Sequence, residues 1–123
     1  MVSRLILVLG DQLSLNLSSL RAADKACDVV VMAEVAQEAE YVRHHPKKIA
    51  LVFAAMRKFA RALEEDGWTL RYTPLDDPEN AGSIVGELLR RAEETGAGEV
   101  IVTEPGEWRL INALTHAPIP TRL

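Results

Sequence analysis

Leu5-Ile6-Leu7-Val8-Leu9-Gly10-Asp11-Gln12-Leu13-Ser14 decides how this chain is read, because five consecutive aliphatic residues stop abruptly at a glycine, an acid and an amide. An apolar run without alternation fits a strand covered on both faces, the habit of central strands in parallel sheets packed between helix layers. Such sheets bind ligands at the carboxyl edge of their strands, which puts Gly10, Asp11 and Gln12 on the binding rim. A plainer reading stands beside it: Gly10 makes a tight turn and Asp11 caps the next segment.

Outward from this run the chain alternates β-type and helical stretches, with no internal repeat or low-complexity tract. Val29 to Ala33 is a second unalternated strand, ending at Glu34 and Val35. From Ala36 to Asp66 the pattern is helical, and Pro46 divides it into two consecutive helices, since proline disfavours helix in the residue before it and can open a new one. In the first, Glu38, Tyr41 and Val42 share a face; in the second, Ile49, Val52, Phe53, Met56, Phe59, Ala60 and Leu63 form an apolar stripe. Gly67 is placed as a left-handed cap. Trp68 to Thr73 alternates, as suits a strand nearer the sheet edge. A helix from Ile84 to Thr95 follows, with Ser83 as N-cap and Gly86 inside it. Glu99 to Thr103 is a fourth strand, running into Glu104-Pro105-Gly106-Glu107-Trp108.

Strands separated by helices imply βαβ crossovers and an α/β three-layer, Rossmann-like sandwich over residues 1–123, with a mostly parallel sheet of four to five strands in the order 3-2-1-4. The fifth strand is the weak point of that expectation. Pro118 and Pro120 remove two backbone donors from the last six residues, so the sequence argues against a regular fifth strand. It predicts instead that Val100 to Val102 form an open edge, inviting self-association. With strand one central, the loops at Gly10 to Gln12 and Glu104 to Trp108 flank one crevice, and Val35, Glu38 and Tyr41 form a third wall.

Composition bounds the chemistry. At 123 residues and 48% hydrophobic the chain builds one core. No apolar run reaches the ~20 residues a bilayer needs and no secretory leader pattern opens the chain, which predicts a cytoplasmic protein without membrane contact. A single cysteine, Cys27, and the lack of any Cys/His spacing argue against a metal site. The formal charge of −4 argues against DNA binding by this chain alone, although Arg43, His44, His45, Lys47 and Lys48 are locally basic.

Several constellations fail. Only Gly10 of the three glycines in a dinucleotide fingerprint is present, and there is no phosphate loop or nucleophile elbow. Asp11 and Glu34 could act as acid and base or hold magnesium, but without a third acid a cap and a loop-amide contact are the better account. A phosphoacceptor receiver domain would use Asp11, Asp76 or Asp77, and Thr103. Its paired acids after strand one are reduced here to Asp11, and Asp76 and Asp77 lie beyond Pro74.

In this order and spacing, the segments LILVLGDQLS, EVAQEAEYVRHHPKKIALVFAAMRKFA, GWTLRYTPLDDPENAGS and VTEPGEWR resemble the N-terminal α/β domain of bacterial photolyase-related proteins of the cryptochrome/photolyase family, in its iron–sulfur branch. The likeness runs nearly the whole chain through Arg109. It implies a Rossmann-like domain carrying a light-harvesting antenna chromophore, typically a lumazine. A separate C-terminal helical domain would hold FAD, an iron–sulfur cluster on four cysteines, and the DNA pocket where the light-excited reduced flavin repairs a pyrimidine photoproduct. One cysteine and no long helical remainder cannot build that second domain, so the expectation is a lyase's antenna half, not catalytic alone and reaching DNA only through the full-length protein. The antenna site is then expected at Gly10, Asp11, Val35, Glu38, Tyr41, Val52, Gly106 and Glu107. There glycines admit a flat ring, Val35, Tyr41 and Val52 supply apolar walls, and carboxylates accept from ribityl hydroxyls or ring N–H groups. The competing expectation is a free-standing module that binds a small ligand or docks a partner.

Overall fold

The computed structural model of the protein describes residues 4–9, 12–14, 17–21, 23–35, 46–103, 108–117 and 119–122. Its elements run β1 (Arg4–Leu7), α1 (Ser18–Arg21), β2 (Asp28–Ala33), α2 (Pro46–Glu65), β3 (Thr69–Thr73), α3 (Ile84–Thr95), β4 (Val100–Val102), α4 (Trp108–Thr115) and β5 (Thr121–Arg122). The strands form one parallel sheet in the order β3-β2-β1-β4-β5. Four of these strands stand in the order that the apolar runs imply. The first of the two helices expected between Ala36 and Asp66 lies outside the described residues, as do Arg43, His44 and His45 of the basic cluster. The second begins at Pro46, where a missing N–H costs nothing because the first helical turn has no acceptor for it.

Alternation along the strands sorts the core into two layers. Leu5, Leu7, Leu9, Val29, Val31, Ala33, Val35, Val100 and Val102 pack with Ile84 and Leu88 of α3 and Leu114 of α4. Ile6, Val8, Val30, Met32 and Ile101 face the opposite way, onto Leu20 of α1 and Met56, Ala60 and Leu63 of α2. Both sets are buried, so after the Arg4 and Asp28 that open them β1 and β2 carry apolar residues at every position, which is why their sequences do not alternate. At the sheet edge β3 is less buried and its sequence does alternate.

The tail overturns the expectation of an open β4 edge. Thr121 pairs with Val100 and Arg122 with Ile101, and the Val100 N–H donates to the Pro120 carbonyl at 2.8 Å. Proline lacks a donor but keeps its acceptor, and the ladder here calls on Pro120 only as an acceptor. A two-residue strand between proline and the chain end is therefore compatible with the composition that argued against it. The self-association route through β4 loses its basis.

Helix α3 shows how local chemistry sets the boundaries. The Ser83 side chain accepts the Gly86 N–H at 3.0 Å, and Gly96 ends the helix at φ +79°, where a β-carbon would be strained. Gly67 likewise follows α2 at φ +94°. Gly86 has a packing reason instead: a Cβ there would lie 2.9 Å from both the Ala81 Cβ and the Ser83 Oγ. Alanine favours helix over glycine by about 1 kcal/mol, but overpacking costs about 1–3 kcal/mol. Gly86→Ala is therefore expected to lower the urea midpoint with an unchanged slope. A raised midpoint would show that the cap and the turn before it yield freely.

Candidate functional site

The carboxyl edge of the sheet is closed by three polar clusters, each built where a strand ends and its backbone groups lose their ladder partners. The first lies at the switch point between β1 and β4, whose following helices α1 and α4 go to opposite faces. Gln12 turns back beneath β1, its N–H donating to the Leu9 carbonyl at 3.0 Å. Its side-chain Oε1 accepts the Leu9 N–H at 3.4 Å and its Nε2 donates to the Thr103 carbonyl at 2.8 Å. The Thr103 hydroxyl accepts the Ser19 N–H and donates to the Ser19 Oγ, each at 3.1 Å, tying α1 to the same place.

The second cluster is centred on Glu34, fully buried just past β2 on the α2 face. Arg57 of α2 grips the carboxylate with Nε at 2.6 Å and Nη2 at 2.8 Å, the Tyr72 hydroxyl donates to it, and the Leu75 N–H adds a bond at 3.1 Å. Burial alone would push this carboxyl up, but the bonds from Arg57, Tyr72 and Leu75 outweigh it and hold it below the usual carboxylate range. Burial, with Glu34 as acceptor, keeps the Tyr72 phenol protonated well above its ordinary value. Glu34 thus makes the loop-amide contact set against a catalytic role for it.

The third cluster sits across the sheet on the α3 face. Glu87, fully buried, accepts from the Thr73 hydroxyl, from Arg90 through Nε at 2.9 Å and Nη2 at 2.8 Å, and from the Ala81 N–H at 2.9 Å. The Thr73 Oγ1 in turn accepts from Arg90 and Arg91. Burial raises the Glu87 carboxyl and these bonds lower it further, to about 2. Asn80 completes the fastening, its Nδ2 donating to the carbonyls of Glu34 at 2.7 Å and Pro74 at 3.0 Å. The loop between β3 and α3 is therefore pinned from both faces, and Asp77 in it serves the turn by accepting the Glu79 N–H.

Of the eight residues expected at the antenna site, Gly10, Asp11, Glu38, Tyr41, Gly106 and Glu107 lie outside the described residues. Val35 is fully buried in the layer shared with α3, whereas Val52 packs on the layer shared with α2, so the sheet separates these two. Among the described residues no group of three or more His, Cys, Asp or Glu is placed to hold a metal, and no helix is long and apolar enough to cross a membrane.

The family of deoxyribodipyrimidine photo-lyase-related proteins matches this chain over residues 6–121. The chain belongs to that family. It is also 50% identical over 109 residues to a (6-4) photolyase of Agrobacterium fabrum (strain C58 / ATCC 33970), a match covering 89% of this chain and 22% of that relative. The chain thus spans less than a quarter of the length of the curated relative it matches.

Sequence reasoning missed the arginine partners. Glu87 and Arg91 occupy positions of α3 that share the buried face with Ile84 and Leu88, and a charge within an apolar stripe signals a paired buried group. Arg57 gave no such signal, since it flanks the stripe of α2 as any solvated residue would. A carboxyl held at about 2, against an ordinary 4.5, stabilises the fold by about 3 kcal/mol at neutral pH. Because the folded value is depressed, this contribution is full above about pH 5 and disappears as pH falls towards 2. Glu87→Gln is expected to lower unfolding free energy at pH 7 and to flatten its decline between pH 5 and 2, read from urea titrations across that range.

Proposed function

We propose that this chain is the N-terminal, light-harvesting domain of a photolyase/cryptochrome-like DNA-repair protein of the iron–sulfur branch, binding a lumazine-type antenna chromophore at the carboxyl edge of its sheet and not catalytic by itself. The observation that carries the reading is the half-identical match to a (6-4) photolyase, confined to 22% of that protein. One cysteine cannot supply four thiolates, so an iron–sulfur cluster, together with FAD and the photoproduct pocket, belongs to a helical part beyond these residues. DNA is reached through that part, in keeping with a net charge of −4 here. The site of action is the cytoplasm.

The described chemistry suits a flat polar heterocycle. The switch point offers a backbone donor and a backbone acceptor on neighbouring strands, and the loops expected to complete the site, at Gly10, Asp11, Glu38, Tyr41, Gly106 and Glu107, bring glycines, carboxylates and a phenol. A pocket of that make-up binds rings by apolar walls and a few convergent polar groups. Titration with 6,7-dimethyl-8-ribityllumazine is expected to quench the ligand's fluorescence and raise the melting temperature, saturating at one ligand per chain. Absence of both effects at high micromolar ligand removes the antenna reading. The same preparation is expected to hold no stoichiometric FAD and to leave a photoproduct-containing oligonucleotide unchanged under blue light; one flavin per chain, or repair, would contradict the division of labour.

A further inference from the structure

Gln12 is buried, with 9% of its surface exposed, and its carboxamide bridges two backbone groups that belong to different strands. The Leu9 N–H lies at the end of β1 and the Thr103 carbonyl at the end of β4, at the point where ligands enter open α/β sheets. A carboxamide meets such a donor–acceptor pair with an oxygen and an N–H carried on one carbon and pointing the same way. The –NH–C(=O)– edge of a cyclic imide or lactam presents the same two groups in the same order. Every pyrimidinedione ring has that edge.

We propose that the Leu9 N–H and the Thr103 carbonyl are a lactam-recognition subsite, and that Gln12 is an internal surrogate which a pyrimidinedione heterocycle displaces on binding. The inference rests on the ring-binding role proposed above and adds how the ring is oriented and what it must move. Three features make the exchange feasible. The bond from the Leu9 N–H to Oε1, at 3.4 Å, is longer than the usual N–H···O range, so one arm of the bridge is weak. The surrogate is neutral, so its release leaves no buried charge unpaired. Its backbone is held independently of the side chain, the Gln12 N–H by the Leu9 carbonyl and the Gln12 carbonyl by the Ser14 N–H, each at 3.0 Å, so a change of side-chain rotamer breaks neither bond.

The experiment compares the unmodified chain with Gln12→Ala, each titrated with 6,7-dimethyl-8-ribityllumazine and with its 3-methyl analogue, which lacks the ring N–H. Removing the competitor is expected to tighten binding of the lumazine about tenfold, the equivalent of roughly 1.4 kcal/mol, with no such gain for the methylated analogue. Equal or weaker binding by the variant, or an equal gain for both ligands, overturns the subsite and leaves the antenna reading standing. Binding of neither ligand by either protein overturns both. Should Gln12→Ala fail to fold, the side-chain amide resonances of Gln12 in the unmodified chain decide the matter. They are expected to be protected from exchange without ligand and solvent-like at saturation; protection that persists in the saturated complex overturns the proposal.

Discussion

A strand with aliphatic side chains on both faces can sit only where both faces are covered and both edges are paired, and the rest of this fold follows from finding that place for β1. Val29 to Val31 flank it on one side and Val100 to Val102 on the other, and helices close over each face. Shifting β1 by one residue would exchange its two faces, but since both are apolar the pattern alone would not forbid the slip. Register is held by polar groups at its ends. Arg4, at the start, is paired with the buried carboxylate of Asp28 in its opposite partner strand, with Nη2 at 2.8 Å from Oδ2, and the Leu5 N–H donates to the Glu99 carbonyl at 2.9 Å. Gln12, beyond its end, does the corresponding work for β4.

The carboxyl edge is where this sheet is chemically expensive, because strands stop there while still covered. Buried backbone groups without partners cost about 1–3 kcal/mol each. Glu34, Glu87 and Asn80 satisfy or fasten the loops that leave β2 and β3, and the two carboxylates need arginines to remain ionised in that setting. Arg57 comes from one helix layer and Arg90 from the other, so the same ion pairs that solve the local problem also fix both layers to the rim. Stability and the shape of the carboxyl edge are therefore not separable on the β2–β3 side.

What could be read from the sequence divides along physical lines. Strand identity and order follow from runs such as Leu5 to Leu9 and Val29 to Ala33, because burial on both faces leaves a one-dimensional signal. Helix boundaries follow from Pro46, Ser83, Gly67 and Gly96, whose backbone preferences are local. The family was legible in four long segments in register. The fifth strand was not, because proline was judged by the donor it lacks and the ladder uses Pro120 through its acceptor. The partners of Glu34 were not legible either, since Arg57 lies 23 residues away on a helix and Tyr72 38 residues away on a strand, and nothing in their spacing says that they meet. Val35 and Val52 look alike in sequence, both being valines near the expected crevice, yet strand alternation and helix placement send them to opposite layers.

The rim is thus built from two materials with different capacities to change. On the β2–β3 side the contacts are ionic, with both carboxylates buried while Arg57 stays half-exposed, and breaking either pair would leave a buried carboxylate without its partner, so that half resists rearrangement. At the switch point the contacts are neutral, and exchanging an amide–backbone bond for a bond to water or to a ligand changes stability by only about 1 kcal/mol. If a ring enters at the switch point, as proposed, the arginine–carboxylate bonds stand away from its path and the neutral Gln12 bridge stands in it. In this chain the neutral bonds lie at the strand-order reversal, where crevices of open α/β sheets bind their ligands.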